Sequence, residues 1–307
     1  MSSQMPIQQI NRSTFLGLVA ILLWSTTIAF SRSLTEQLGT FTAAALIYCL
    51  AGAFGLLYTA FFGGGLRHIL SLPKLYLFGC GGLFVAYMVC LYLSIGLAAT
   101  RTQVLAIGLI NYLWPGLSLL FAIPILGRKA KPLLPVGIIV ALVGIWLATG
   151  NGSDITITTM FQDNSAWLPY SLAFCAAICW GLYSNLSRRW AAGNDSGAVP
   201  LFLTASGLVL GIMRLFTPEK ANWTIGAGLE LLYMALFPAM LAYVFWDIAV
   251  RKGEIILVAS LSYLTPLLST LVSVIVLRVE PGAALWFGAL LVMSGALLCK
   301  ASLSNPP

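Results

Sequence analysis

The 307-residue sequence predicts an all-α membrane protein whose ten transmembrane helices form two inverted five-helix repeats. Three observations predict this class: the composition, a series of ten apolar segments, and an internal repeat. Hydrophobic residues make up 60% of the chain and charged residues only 8%, whereas a soluble domain carries about 25% charged residues. The chain lacks the polar surface that water would require, so its surface must face lipid.

Ten mainly apolar segments follow one another along the chain, and most have about the 20 residues that a transmembrane helix needs. Their apolar residues cover all faces instead of alternating, which favours helices over barrel strands. The predicted spans are 14–34, 40–62, 75–97, 102–123, 132–149, 166–188, 198–217, 227–250, 254–277 and 283–301.

The second half of the chain repeats motifs of the first half. Trp24, Tyr92 and the run Asn111-Tyr112-Leu113-Trp114-Pro115 match Trp180, Tyr243 and the run Ser262-Tyr263-Leu264-Thr265-Pro266. We therefore expect residues 1–150 and 151–307 to form two related units. Because each unit holds five spans, an odd number, the second must enter the membrane from the opposite side. Such a duplication is typical of transporters, with the site between the halves.

Basic residues predict the orientation, because short cytoplasmic loops of membrane proteins carry an excess of lysine and arginine. With the N-terminus in the cytoplasm, eleven of the sixteen basic residues fall on the inner side. The five on the outer side are Arg32, Arg101, Arg214, Lys220 and Arg278. Both termini are therefore expected in the cytoplasm. The same rule explains the net charge of +7, so the charge is no indication of a nucleic-acid partner.

Two repeat-matched prolines lie near the middle of the fourth and ninth predicted spans. Pro115 and Pro266 lack an N–H and push away the carbonyl four residues earlier, which belongs to Asn111 and Ser262 respectively. A freed carbonyl beside a polar side chain at mid-depth favours the wall of a wet cavity. An ordinary kink whose polar groups meet adjacent helices is the alternative. Pro238, in the eighth span, is a third candidate hinge.

Aromatic residues gather at similar depths in the predicted spans. Trp24 and Trp180 lie too deep in their segments to act as interfacial belt residues. Aromatic walls with few polar groups suit an amphipathic ligand that carries a ring. The candidate substrate-binding residues are Trp24, Tyr87, Tyr92, Asn111, Tyr112, Trp180, Tyr243, Trp246, Ser262 and Tyr263.

Charged residues within the spans are scarce. Asp247 is the best candidate for a functional charge, but Arg251 follows one turn later on the same helix face, so a local ion pair and a proton-coupling role both remain open. The single histidine, His68, falls in a loop, and no paired carboxylates lie at mid-depth. Acid–base and metal chemistry therefore have few candidate residues. We expect neither an enzyme nor a metal or cofactor.

Small residues recur along one face of the fifth and tenth predicted spans. They are Gly137, Ala141 and Gly144 in the fifth span and Gly288 and Gly295 in the tenth. Such stripes let two helices approach closely. Packing within one chain, as a monomer, is the favoured interpretation, and a dimer contact is the alternative.

The chain resembles the drug/metabolite transporter superfamily. The resemblance rests on the doubled five-span unit, the run Leu22-Leu23-Trp24-Ser25-Thr26, and the Tyr-Leu-x-Pro turns at 112–115 and 263–266. It is most similar to the ten-helix exporters with two EamA-type domains. The first fifty residues, through Ala45-Leu46-Ile47-Tyr48, look like bacterial aromatic amino-acid exporters. The resemblance implies a central cavity framed by spans 1, 3, 4, 6, 8 and 9, and alternating access by rocking of the halves.

The expected function is export of aromatic or other hydrophobic amino acids across the bacterial inner membrane. The expected partners are therefore a small-molecule substrate and membrane lipids. Efflux of lipophilic drugs or other metabolites by the same fold is one alternative, and a receptor without flux is another. Lysine and arginine are missing at mid-depth, which argues against a phosphorylated cargo. Facilitated and proton-coupled transport both remain open.

Overall fold

The computed structural model describes residues 12–62, 66–150, 167–191, 197–252, 262–280 and 282–304. Within these ranges the chain is almost entirely helical, which confirms the predicted all-α class. Two short strands, β1 (Lys129–Ala130) and β2 (Leu303–Ser304), pair antiparallel with Lys129 opposite Ser304.

The described part of the first half contains eight α-helices. A π-helical stretch, Leu75–Cys80, leads into the fifth of them. The helices are α1 (Arg12–Trp24), α2 (Thr27–Leu38), α3 (Thr40–Phe62), α4 (Leu66–Leu70), α5 (Gly81–Leu97), α6 (Arg101–Asn111), α7 (Trp114–Leu126) and α8 (Leu133–Gly150).

The described part of the second half contains six α-helices. A π-helical stretch, Ala235–Leu241, joins the third of them to the fourth, and a 3₁₀ turn, Ser262–Leu264, precedes the fifth. The helices are α9 (Trp167–Ala191), α10 (Val199–Leu215), α11 (Ile225–Met234), α12 (Ala242–Lys252), α13 (Thr265–Leu277) and α14 (Ala283–Ala301). The first residues of predicted span 9, 254–261, lie outside the described residues.

Within the part of the chain that the structure describes, five helical stretches are long and apolar enough to cross a membrane. They are Arg12–Leu38, Thr40–Phe61, Leu75–Leu97, Arg101–Leu126 and Ile225–Lys252. Four shorter apolar helices accompany them, within α8, α10, α13 and α14. A multi-pass membrane protein follows from these stretches, while the count of ten spans stays a prediction.

The first span is broken between α1 and α2 by side-chain hydroxyls. Ser25 Oγ donates to the carbonyl of Leu22 at 2.7 Å, and Thr26 Oγ1 donates to that of Leu23 at 2.8 Å. Such local bonds offer the backbone an alternative to helical hydrogen bonds, so serine and threonine pairs favour an interruption. The interruption places the first turn of α2 beside the centre of the molecule.

The prolines of predicted spans 4 and 9 lie just after similar interruptions. The helix stops at Asn111 and resumes at Trp114, with Pro115 in the first turn of α7. In the second half, the 3₁₀ turn ends at Leu264, and Pro266 lies in the first turn of α13. Proline fits the first turn of a helix because its missing N–H has no intrahelical partner there. Each predicted kink is thus a break between two helical segments.

Helices of the two halves pack against one another in five main pairs. These are α3 with α10, α8 with α14, α5 with α9, α7 with α9, and α1 with α12. Along α8 and α14 the backbones touch: a Cβ at Gly137 would lie 2.6 Å from the carbonyl oxygen of Gly295, and one at Gly144 would lie 2.7 Å from that of Gly288. The small-residue stripes therefore pack within the chain, as the favoured interpretation predicts.

Candidate functional site

Four tryptophans from four helices meet at the centre of the molecule. Trp24 ends α1, Trp114 begins α7, Trp180 lies within α9 and Trp246 within α12. The six centroid distances among them run from 4.9 Å, between Trp114 and Trp246, to 6.4 Å. We call this group the tryptophan tetrad. Most of its pairs are edge-on or tilted, the arrangement that the quadrupoles of aromatic rings prefer.

A central cavity of about 20 Å³ borders the tetrad. Both halves of the chain line it: Trp24, Thr27, Ile28, Tyr87, Leu91, Asn111, Tyr112, Trp114, Trp180, Tyr243 and Thr265. Six of the ten predicted substrate-binding residues are in this lining. A water molecule needs roughly 10–15 Å³ of such space, so in this conformation the cavity holds about one water and no amino acid.

Three polar atoms that line the central cavity have no hydrogen-bond partner among the described residues: Thr27 Oγ1, Asn111 Oδ1 and Thr265 Oγ1. The three residues are at most 8% exposed. A buried polar group without a partner costs about 1–3 kcal/mol, so native proteins rarely keep one without a reason. All three lie at the helix breaks described above, which brings the polar groups of separate helices to one point.

The indole of Trp24 occupies the middle of the site. Its Nε1 donates to the carbonyl oxygen of Pro238 at 3.1 Å, and its ring lies 5.0 Å from Tyr243 and 5.4 Å from Trp180. The acceptor belongs to the π-helical stretch between α11 and α12. Because this indole is held by a hydrogen bond and by rings on several sides, the site is closed around one of its own side chains.

Among the predicted site residues with described side chains, three do not line the central cavity. Trp246 contacts Trp24 and Trp114 within the tetrad but is not part of the cavity lining. The Tyr92 hydroxyl lies 3.1 Å from Ser31 Oγ, away from the tetrad. Ser262 is fully buried, and the side chain of Tyr263 lies outside the described residues.

Sequence reasoning missed three polar or aromatic members of the lining: Thr27, Trp114 and Thr265. Trp114 and Thr265 stand at equivalent positions in the matched runs, directly before the two prolines. They differ in type, so a search for identical pairs passes over them. Position within the repeat would have indicated both residues.

A buried ion pair lies at the end of the molecule where α1 begins and α12 ends. We call this end, which the basic residues predict to face the cytoplasm, the inner end, and the opposite end the outer end. Arg251 Nη2 and Nε are 2.8 Å and 2.9 Å from Asp247 Oδ2. The other carboxylate oxygen accepts from the hydroxyls of Tyr76 and Tyr183 at 3.3 Å and of Ser187 at 3.4 Å. The local ion pair predicted from the sequence is confirmed, and several donors on separate helices compensate the buried carboxylate.

A second charged group joins the helices at the opposite, outer end. Glu36 accepts from Arg32 Nε at 2.7 Å and from Arg101 Nη2 at 2.5 Å. Arg101 Nη1 also donates to the carbonyl of Leu277, at the end of α13, at 2.9 Å. These contacts tie α2 and α6 of the first half to α13 of the second, so the outer end is closed by polar contacts.

A family model described as the EamA-like transporter family matches the chain at residues 11–150 and again at residues 167–300. The chain belongs to this family. The assignment confirms the predicted relationship to the drug/metabolite transporter superfamily.

Curated relatives match the chain over almost its whole length. "Aromatic amino acid exporter YddG" of Escherichia coli (strain K12) is 34% identical over 94% of this chain and 96% of its own. The protein of the same name from Salmonella typhimurium is 35% identical with the same coverage. The one from Ancylobacter novellus is 30% identical over 92% of this chain and 95% of its own.

A solved crystal structure supports the fold of this EamA-like transporter. Its chain is 28% identical, and the match covers 94% of the present chain and 96% of the other with a TM-score of 0.72. The helical arrangement around the tetrad therefore has an experimental counterpart.

Proposed function

We propose that this EamA-like transporter exports aromatic and other hydrophobic amino acids across the bacterial inner membrane. Three of its relatives carry the name of aromatic amino acid exporters. The observation in this chain that carries the proposal is the central cavity, where aromatic rings surround three buried polar atoms that find no hydrogen-bond partner in the described ranges. Such a site combines a surface for a ring with groups for a polar head.

The chemistry of an amino acid fits these groups. An ammonium group donates to the oxygens of Thr27, Asn111 and Thr265, while the threonine hydroxyls also donate to a carboxylate. The cargo leaves water only when its polar ends find such partners, because burying them alone costs several kcal/mol. Its ring then packs against the tetrad, Tyr87 and Tyr243.

Alternating access requires the central cavity to grow from the size of one water to that of the cargo. We propose that the breaks at Pro115 and Pro266 and the π-helical stretch that contains Pro238 act as hinges for this change. π-helical turns often occur at functional sites because their hydrogen bonds are easily rearranged. Opening the site moves Trp24 away from the Pro238 carbonyl.

The same proposal includes two inverted five-helix repeats, residues 1–150 and 151–307, with both termini in the cytoplasm. Two observations support it. The family model matches the chain twice, and two of the main helix pairs, α3 with α10 and α8 with α14, join equivalent elements of the two halves.

A second cargo class is favoured by the aromatic cage. Indole and phenol faces attract cations by about 0.5–2 kcal/mol, more when water is excluded. Within the described residues, the lining of the central cavity includes neither lysine nor arginine to repel a cation. Lipophilic aromatic cations are therefore the alternative cargo.

Efflux from loaded cells tests the proposed function. Cells that lack related exporters are loaded with a phenylalanine dipeptide, and external phenylalanine is followed with and without the protein. We expect faster efflux with the wild-type chain and at least a tenfold loss with Trp24→Ala, because the ring loses its main contact. Trp223→Ala is the matched control, since Trp223 is 57% exposed and outside the cavity lining.

Unchanged efflux of both phenylalanine and tryptophan in cells that make the wild-type protein would reject the amino-acid assignment. Competition in proteoliposomes separates the two cargo classes. An aromatic cation that is transported while excess phenylalanine leaves its rate unchanged would favour the alternative cargo.

A further inference from the structure

A second cavity, of about 550 Å³, lies at the inner end of the molecule. Its lining includes Arg12, Leu16, Val244, Phe245, Asp247 and Arg251. We call it the inner cavity. Small-molecule sites commonly measure about 300–1,000 Å³, so it has room for an aromatic amino acid, whereas the central cavity does not.

The walls of the inner cavity are mainly apolar, apart from Tyr58, Thr59 and one charged corner. There the Asp247–Arg251 ion pair is buried, with both side chains at most 2% exposed, and Arg12 lies across from it on α1. Ionisable groups within spans are rare and usually mark a substrate or ion path. An apolar space with an acid and two bases at one corner matches a molecule with an apolar side chain, an ammonium and a carboxylate.

The inner cavity is connected to the tetrad through side chains of α9 and α12. The Tyr183 hydroxyl bonds to Asp247, and its ring stacks on Trp180 with the centroids 4.8 Å apart. One turn before Asp247 on α12, Tyr243 lines the central cavity. A molecule in the inner cavity therefore lies one helical turn from the proposed transport site.

We propose that the inner cavity is a first binding site for the zwitterionic cargo, occupied before the cargo reaches the tetrad. The cargo ammonium takes the place of one of the donors at the Asp247 carboxylate, and the cargo carboxylate binds Arg12. The side chain of the cargo packs among Leu16, Val244 and Phe245. The inference rests on the proposed function for the identity of the cargo. It adds a site at the inner end and assigns the buried ion pair to cargo binding.

Equilibrium binding of radiolabelled phenylalanine to the purified full-length protein tests the inference. Leu16→Trp and Val244→Trp fill the inner cavity from two walls without touching the ion pair. Leu22→Trp and Leu232→Trp are matched controls, because both leucines are exposed and outside the cavity lining. We expect at least a tenfold rise in Kd in the two filling variants, unchanged Kd in the controls, and similar melting temperatures in all four.

The charged corner is tested with a pair of ligands. Arg12→Gln is expected to raise the Kd of phenylalanine at least fivefold and to leave that of phenylalanine amide, which lacks the carboxylate, unchanged. Equal effects on the two ligands would overturn the role of Arg12. Native mass spectrometry provides a further check: a phospholipid that stays bound at saturating phenylalanine and is lost in Leu16→Trp would overturn the assignment to the cargo.

Transport and binding distinguish failure of the inference from failure of the proposed function. Normal export by the wild-type chain with normal phenylalanine binding in both filling variants would overturn the inner site and leave the function standing. Specific binding that the filling variants abolish, without any export, would retain the site and reject the function. A wild-type chain that binds no phenylalanine would overturn the inference.

Discussion

At the scale of single residues, two threonines whose hydroxyl oxygens are buried can be compared, one inside the central cavity and one outside it. The side-chain oxygens of Thr265 and Thr35 both lack a hydrogen-bond partner among the described residues. Thr265 faces the central cavity, whereas Thr35 is not part of its lining. A hydroxyl kept without a partner at a binding site costs stability, and a ligand that pairs with it recovers that cost.

Replacing each threonine with valine separates stability from transport. Valine has nearly the same shape and removes the unpaired hydroxyl, so both Thr265→Val and Thr35→Val should stabilise the fold by about 1 kcal/mol. Only Thr265→Val should also reduce phenylalanine export, by about tenfold. Thermal unfolding in detergent and efflux from cells measure the two effects. Full export by Thr265→Val would remove this residue from the proposed site.

At the scale of helices, the contact between α8 and α14 depends on glycine. A Cβ at Gly144 would lie 2.7 Å from the Gly288 carbonyl oxygen and 2.8 Å from the Val292 nitrogen, both backbone atoms that cannot move aside alone. Gly82, in α5, has open space around its Cβ position. The two helical glycines therefore differ in what a methyl group would meet.

Gly144→Ala should lower the melting temperature by several degrees, because α8 and α14 must separate to admit the methyl group. Gly82→Ala should keep or raise it, since alanine favours a helix by about 1 kcal/mol over glycine. Thermal unfolding of the purified variants checks both expectations. Equal stability of the two would contradict close packing of α8 on α14.

The polar contacts at the outer end make a separate prediction. Arg101 is about half exposed, so its ion pair with Glu36 contributes only about 0.2–1 kcal/mol to stability. Glu36→Gln should therefore change the melting temperature little, yet hydrogen exchange in residues 95–104 should speed up several-fold. Glu230→Gln is the control, because that carboxylate accepts an amide hydrogen bond from Gln37 at 3.3 Å and has no ion pair among the described residues. Identical exchange in both variants would argue against closure of the outer end by Glu36.

The sequence predicted some interruptions of the helices and missed others. Pro115 and Pro266 indicated two breaks, because proline has a direct effect on the helical backbone. The break after Trp24 arises from the hydroxyls of Ser25 and Thr26, whose effect depends on the rotamers they adopt in the fold. The meeting of four tryptophans depends on which helix faces pack together, and a sequence without coordinates does not specify those faces.

At the scale of the whole molecule, both halves contribute residues to the candidate site. Trp24, Asn111 and Trp114 come from the first half, and Trp180, Tyr243 and Thr265 from the second. A site shared in this way changes shape whenever the halves move relative to each other. The proposed motion of one half against the other would therefore change the shape of the site from both sides.

The proposed inversion of the halves makes a prediction about topology. Alkaline phosphatase fused after residue 150 should be active, because five spans would place this point outside the cytoplasm. Green fluorescent protein fused after residue 307 should be fluorescent, because the C-terminus would lie in the cytoplasm. Phosphatase activity and fluorescence in whole cells measure on which side of the membrane each fusion point lies. An inactive phosphatase at the first point would contradict an odd number of spans before it.

The tryptophan tetrad gives the protein a built-in optical probe. Four indoles within 6.4 Å of one another in a dry environment should emit together at short wavelength and exchange excitation. Water reaching Trp24 would shift that emission to the red. With the other five tryptophans replaced by phenylalanine, stopped-flow fluorescence would time the conformational cycle without an added label.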